Sequence, residues 1–186
     1  MEDPDKASDH APSPGQAPVA GRRLLLLDFD GVLNSDAYFE SAGFREATTG
    51  LSDAEVMLTQ QAHHLDPARV ALVNRLVEAL GAAVVVSSSW RLRHSLDELN
   101  TLLASRGATF QAIDVTPRVT EYDPTRPLRA REILAYLASL AEPPASVVVL
   151  DDDDLQGLVP GHVHLDGAQG LQEAQLDAIV GAWRSD

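Results

Sequence analysis

The chain has 186 residues and a mass of 20.0 kDa, the size of one compact domain. Hydrophobic residues make up 45% and charged residues 23%, which supports a buried core and excludes a wholly disordered chain. Acidic residues outnumber basic ones by 28 to 14, and the net charge of -14 disfavours bulk binding to nucleic-acid backbones.

The absence of cysteine excludes disulfide scaffolds, thiolate zinc sites and cysteine nucleophiles. Any metal site must use oxygen or histidine ligands. The longest apolar runs, such as Leu24–Leu27, are far too short to span a bilayer. The first residues show neither a basic n-region nor an apolar h-region. These features together predict a soluble cytoplasmic protein without a membrane partner. The only lysine is Lys6, so a catalytic cation within the folded part must be an arginine.

Residues 1–21 are rich in Pro, Gly, Ala, Ser and Asp and read as a flexible tail. The folded domain is expected over 22–186. Leu24–Leu27, Ala82–Val86 and Val147–Leu150 are short continuous apolar runs, the pattern of strands buried on both faces. Thr109–Val115 and His162–Leu165 are weaker strand candidates. Asp66-Pro67 reads as an N-cap with proline at N1, and apolar residues from Val70 to Leu80 then recur at helical spacing before Gly81. Three further helices are expected, from Leu96 to near Gly107, over Leu128–Leu140 and over Leu171–Trp183. Buried strands alternating with amphipathic helices predict an α/β fold with a mostly parallel sheet. The stretch 35–65, with Phe39, Phe44, Val56, Met57 and Leu58, reads as a small flap or helical insert.

Ligands of such sheets bind beyond the carboxyl ends of the strands. Three strands end in Asp28-Phe29-Asp30-Gly31, in Ser87-Ser88-Ser89 and in Asp151–Asp154. Several carboxylates on one rim repel one another, and a hard divalent cation such as Mg²⁺ relieves that repulsion with oxygen ligands. Gly31 permits a sharp turn after Asp30. Asp28 and Asp30 can then flank one reacting atom, one as nucleophile and the other as general acid and base. Asp153 and Asp154 read instead as acids at the start of a helix.

Asp28-Phe29-Asp30-Gly31-Val32-Leu33-Asn34 resembles motif I of the haloacid-dehalogenase-like (HAD) hydrolase superfamily. Val84–Ser88 is similar to its motif II and Val148–Asp152 to its motif IV. Ser88-Ser89-Trp90-Arg91, Arg129–Ile133, Leu150–Asp153 and Gly170-Leu171 resemble the small HAD domains of the "Swiss army knife" RNA-repair proteins. The resemblance covers about residues 22–183. It implies a three-layer Rossmann-like sheet with helices on both faces and only a small cap insert. It also implies a Mg²⁺-dependent phosphatase acting on a phosphorylated small molecule, a nucleotide or a nucleic-acid end. Asp28 is then the nucleophile, and Asp30 the general acid and base with a metal-binding carbonyl. Ser88, with Ser87 second, binds the phosphoryl group. Asp152 is the main metal ligand, supported by Asp151, alongside Asp28 and Asp30. Motif III departs from the family, because its usual lysine is replaced by Arg129 or Arg131.

The alternative is a non-catalytic HAD-like binding or regulatory module, and the intact Asp28–Asp30 pair argues against it. A phosphoacceptor receiver requires a lysine at a late strand end, which this domain lacks. Arg91 and Arg93 are either anion contacts or exposed helix-start charges. Trp90 reads as a packing residue. His63 and His64 are adjacent, so they do not share a face as metal ligands would. His94 lies near the expected rim. Arg118 and Arg126 belong to a proline-interrupted surface loop.

Overall fold

The structure, a computed structural model, describes residues 21–50, 62–155 and 157–183. The expected tail up to residue 20 and Val56, Met57 and Leu58 of the insert lie outside the described residues. Five strands form one parallel sheet, β1 (Arg23–Leu27), β2 (Ala83–Val86), β3 (Ala112–Val115), β4 (Ser146–Asp151) and β5 (His162–His164). Their spatial order is β3-β2-β1-β4-β5. Both weak strand candidates therefore form edge strands. The chain moves outward from β1 to β3, then returns to the other side of β1. That reversal puts a topological switch point between β1 and β4, where open α/β sheets hold ligands.

Alternation along β1 divides the core. Leu25 and Leu27 pack on one face with Val84, Val86, Val148 and Leu150. Leu24 and Leu26 pack on the other with Val85 and Val149. All four leucines of β1 are fully buried, which explains why the run reads as continuous rather than alternating.

Helices cover both faces, so the fold is the expected three-layer, Rossmann-like arrangement. The first face carries α3 (Pro67–Leu80), α4 (Leu96–Ser105) and α6 (Glu173–Trp183), and the second carries α5 (Leu128–Ser139). Two short helices of the insert, α1 (Asp36–Phe39) and α2 (Ala42–Thr48), follow motif I. The Asp66 carboxylate accepts from the Ala68 amide at 2.8 Å, and Gly81 closes α3 in the left-handed region at φ 59°. Ser95 and Glu98 form a reciprocal capping box on α4. Helix α6 begins at Glu173 rather than Leu171, because Leu171 is buried and its amide donates to the Val32 carbonyl at 3.1 Å. No described helix is long and apolar enough to cross a membrane.

The acids after β4 do not begin a helix. Residues 152–154 bend away, and the Asp151 Oδ1 accepts from the Asp153 amide at 2.9 Å. A carboxylate that caps the following amide stabilises a turn as readily as a helix start.

Gly161 shows how tightly β5 joins the sheet. Its φ is 67°, its carbonyl accepts from the Val149 amide at 2.9 Å, and a Cβ there would stand 1.9 Å from the Val147 carbonyl oxygen. The left-handed backbone costs a non-glycine residue about 1–3 kcal/mol, and the clash with fixed backbone adds to it. Gly161→Ala should therefore lower stability by about 3 kcal/mol, measured as a fall in the urea midpoint. An unchanged midpoint would contradict this account of the β4–β5 junction.

Candidate active site

Four carboxylates meet at the carboxyl ends of β1 and β4. Parallel pairing aligns Leu27 with Leu150, so Asp28 and Asp151 leave the sheet side by side. The Asp28 amide donates to the Leu150 carbonyl at 3.0 Å and fixes that register. Asp28 and Asp151 are buried, Asp152 is half-buried and Asp30 is exposed. Ligand oxygens of Asp28, Asp151 and Asp152 all lie within 4.8 Å of one another.

Glycine makes this approach possible. Gly31 has φ 70°, and a Cβ on it would stand 2.2 Å from the Asp152 carboxyl. Gly167 would place one 2.5 Å from Asp152 Oδ2. The Asp152 carboxyl therefore nests between two bare backbones. Gly167 had no motif to mark it, since its close neighbour comes from another strand end.

Arg129, from the first turn of α5, is the cation among these acids. Its Nη2 donates to Asp28 Oδ2 at 3.1 Å, and its Nε stands 3.2 Å from Asp151 Oδ2 without hydrogen-bond alignment. Burial pushes the Asp28 carboxyl up to about 6, although the Arg129 charge, the Ser88 hydroxyl and the Phe29 amide pull it down. Burial, and then the charge of Asp28 beside it, pushes Asp151 up to about 8 despite Arg129. Burial also raises Asp152. One guanidinium is thus too little positive charge for this rim.

The donor set fits a hard divalent cation. It consists of carboxylate oxygens within one ion's reach, and the buried Asp151 Oδ2 has no hydrogen-bond partner among the described residues. Asp28, Asp151 and Asp152 are the residues that would hold Mg²⁺.

Asp30 sits in a different environment. Its carboxylate accepts from Asn34 Nδ2 at 2.9 Å and from Trp90 Nε1 at 3.0 and 3.1 Å. The Ser89 hydroxyl lies 3.4 Å away. Asn34 also accepts from the Gly31 amide at 2.9 Å and so braces the turn between the two acids. Trp90 packs edge-on to Phe29, with ring centroids 5.4 Å apart, and joins core packing to a polar contact.

The serines separate. Ser88 lies close enough to Asp28 to lower its pKa, while the buried Ser87 hydroxyl has no partner among the described residues. The arginines separate too. Arg131 turns from the rim and donates to the Glu121 carbonyl. Arg91 is neither an open anion contact nor an exposed charge, because its side chain is 3% exposed and pairs with Glu132 at 2.5 Å. Arg93, Arg118 and Arg126 are exposed. His64 and His94 both stand 6.3 Å from Trp90, ring to ring. The cavity lined by Tyr38, Asp66, Arg69 and Arg106, about 560 Å³, contains none of the rim acids.

A model of the HAD domain in Swiss Army Knife RNA repair proteins matches residues 24–176. The chain belongs to that family. The match covers the five strands of this HAD domain except Arg23, together with the whole acid rim, and places it with the HAD hydrolases. No curated protein and no solved structure matches it significantly.

The raised acids make the metal-free HAD domain pH-sensitive. Asp151 favours folding while it is protonated, below its unfolded pKa of 3.8, and that contribution is lost as pH rises through about 8. Asp151→Asn removes the titration. The melting temperature of the metal-free variant should gain on wild type by several degrees between about pH 4 and pH 8. Mg²⁺ should raise wild type at pH 8 and leave the variant nearly unmoved. Parallel pH curves for the two proteins would contradict the assignment of Asp151 as an uncompensated buried acid.

Proposed function

We propose that this HAD domain is a Mg²⁺-dependent phosphatase that cleaves phosphate monoesters through an aspartyl-phosphate on Asp28. The observation that carries the reading is the pairing of unlike carboxylates two residues apart. Asp28 is buried beside Arg129 and Ser88, whereas Asp30 is exposed and held by three side-chain donors. A nucleophile needs a fixed position and a nearby positive charge. A proton donor needs access to the leaving group.

In the first step an Asp28 oxygen attacks phosphorus, and the bond to the leaving oxygen breaks. Asp30 gives its proton to that oxygen, which departs as an alcohol. In the second step Asp30 takes a proton from water as the water oxygen attacks phosphorus. The bond from Asp28 to phosphorus breaks, inorganic phosphate forms, and both carboxyl groups return to their starting states. Ser88, with Ser87 second, and Arg129 bind the phosphoryl oxygens. Arg129 replaces the family's lysine with a group that spreads its charge over a planar fork. Bound Mg²⁺ supplies charge neutralisation for the acids and the phosphoryl group.

The substrate class we infer is a phosphorylated small molecule, a nucleotide or a nucleic-acid end. The family's description in terms of RNA repair supports it. So does the composition from Arg118 to Arg131, which holds four arginines and two acids, Glu121 and Asp123, in a chain of net charge -14. An end-directed enzyme needs few backbone contacts, so bulk nucleic-acid binding is not expected. The cysteine-free sequence supports a cytoplasmic setting.

Hydrolysis of an aryl phosphate should require Mg²⁺ and disappear in Asp28→Asn. Asp30→Asn should lose about 10²–10⁴-fold in kcat. Turnover that survives Asp28→Asn would overturn the covalent mechanism. A folded, Mg²⁺-binding wild type inert toward aryl phosphate, nucleotides and phosphorylated oligonucleotides would return the non-catalytic module.

A further inference from the structure

We propose that Glu132, clamped by Arg91, is the positioning residue for Arg129. This role presupposes that Arg129 serves the phosphate site. Glu132 stands one helical turn after Arg129 on α5, so both side chains reach the same end of the sheet. Its Oε2 lies 2.5 Å from Arg91 Nη2 and 3.9 Å from Arg129 Nη1. Side-chain exposure is 5% for Glu132, 3% for Arg91 and 12% for Arg129.

A buried ion pair of this kind is a poor source of stability, since a packed apolar pair of similar volume does as well or better. What it supplies is direction. Arg91 has little freedom of its own. Its Nη1 donates to the Ser88 carbonyl at 2.6 Å and its Nε to the Thr116 carbonyl at 2.8 Å. These carbonyls sit just beyond the ends of β2 and β3. Arg91 therefore transfers the position of two strand ends to Glu132, and Glu132 transfers it to Arg129.

The need for such a brace follows from the other side of Arg129. Its Nη2 and Nε face the acids Asp28 and Asp151. Without an opposing carboxylate, the guanidinium is drawn wholly onto that pair. It then closes further on Asp28 Oδ2, to which Nη2 already donates at 3.1 Å, and is lost to the phosphate. Glu132 pulls on Nη1 from the far side and holds the fork between the acids and the space above them. The chain Asp28–Arg129–Glu132–Arg91 is thus one electrostatic unit, in which two cations are shared among Asp28, Asp151 and Glu132.

The experiment is a double-mutant cycle on Mg²⁺-dependent aryl phosphate hydrolysis, run well below the melting temperature of every variant. Glu132→Gln keeps shape and removes charge. It should lower kcat by about 10–100-fold, as loss of a residue orienting a site ligand typically does, with a much smaller change in KM. In the Arg129→Ala background the same substitution should add nothing, because its effect passes through Arg129. Full kcat in Glu132→Gln, or a loss that multiplies with that of Arg129→Ala, would overturn the proposal. Should Glu132→Gln fail to fold, Arg91→Lys perturbs the same contact from the other side and enters the same cycle.

A second readout is independent of turnover. The Arg129 Nε–Hε signal in a ¹H–¹⁵N spectrum should be sharp in wild type and should broaden in Glu132→Gln. If wild type hydrolyses nothing, the phosphatase reading fails. The Arg129 signal then decides the positioning role, and an unchanged signal refutes it.

Discussion

Everything at this site follows from placing Asp28 and Asp151 on adjacent parallel strands at the point where strand order reverses. Parallel pairing in register brings two buried carboxylates together, and one guanidinium stands between them. Burial raises both carboxyl groups, and the charge of Asp28 raises Asp151 further. The rim therefore presents three carboxylates whose oxygens lie within one cation's reach.

The same rim gives Asp28 and Asp30 unlike environments. The turn at Gly31 carries Asp30 away from the buried acids and into the reach of Asn34, Ser89 and Trp90. Two identical side chains two positions apart thus meet opposite environments. Trp90 also joins the site to the insert, through a chain of rings that runs by His64 to Phe39 and Phe44. Within the insert Tyr38 packs against Phe39 and Phe44, and its hydroxyl donates to the His63 carbonyl at 2.9 Å.

Legibility varied with how local each cause was. The strands of the sheet centre are readable because burial on both faces demands unbroken apolar runs. Helix α3 is readable because Asp66, Pro67 and Gly81 act on their immediate neighbours. The acids after β4 misled, since a carboxylate capping the next amides looks alike before a helix and before a turn. Arg129 and Arg131 are two residues apart on one helix, so their side chains point to different sides. Only packing of α5 against the sheet decides which one faces Asp28. Arg91 and Glu132 look like ordinary surface charges in sequence, because nothing local reports that each will be buried against the other.

The sequence by itself determined the parallel α/β architecture, the three strand-end motifs and the residue types available for chemistry. Those are consequences of short-range pattern and of strand direction. Tertiary structure alone decided the sharing of Arg129 between two acids, the nesting of Asp152 against Gly31 and Gly167, and the buried Arg91–Glu132 brace. Each of these joins groups that are distant along the chain. Their energies depend on separations of a few ångströms and on exclusion of water, and neither quantity exists until the layers have packed.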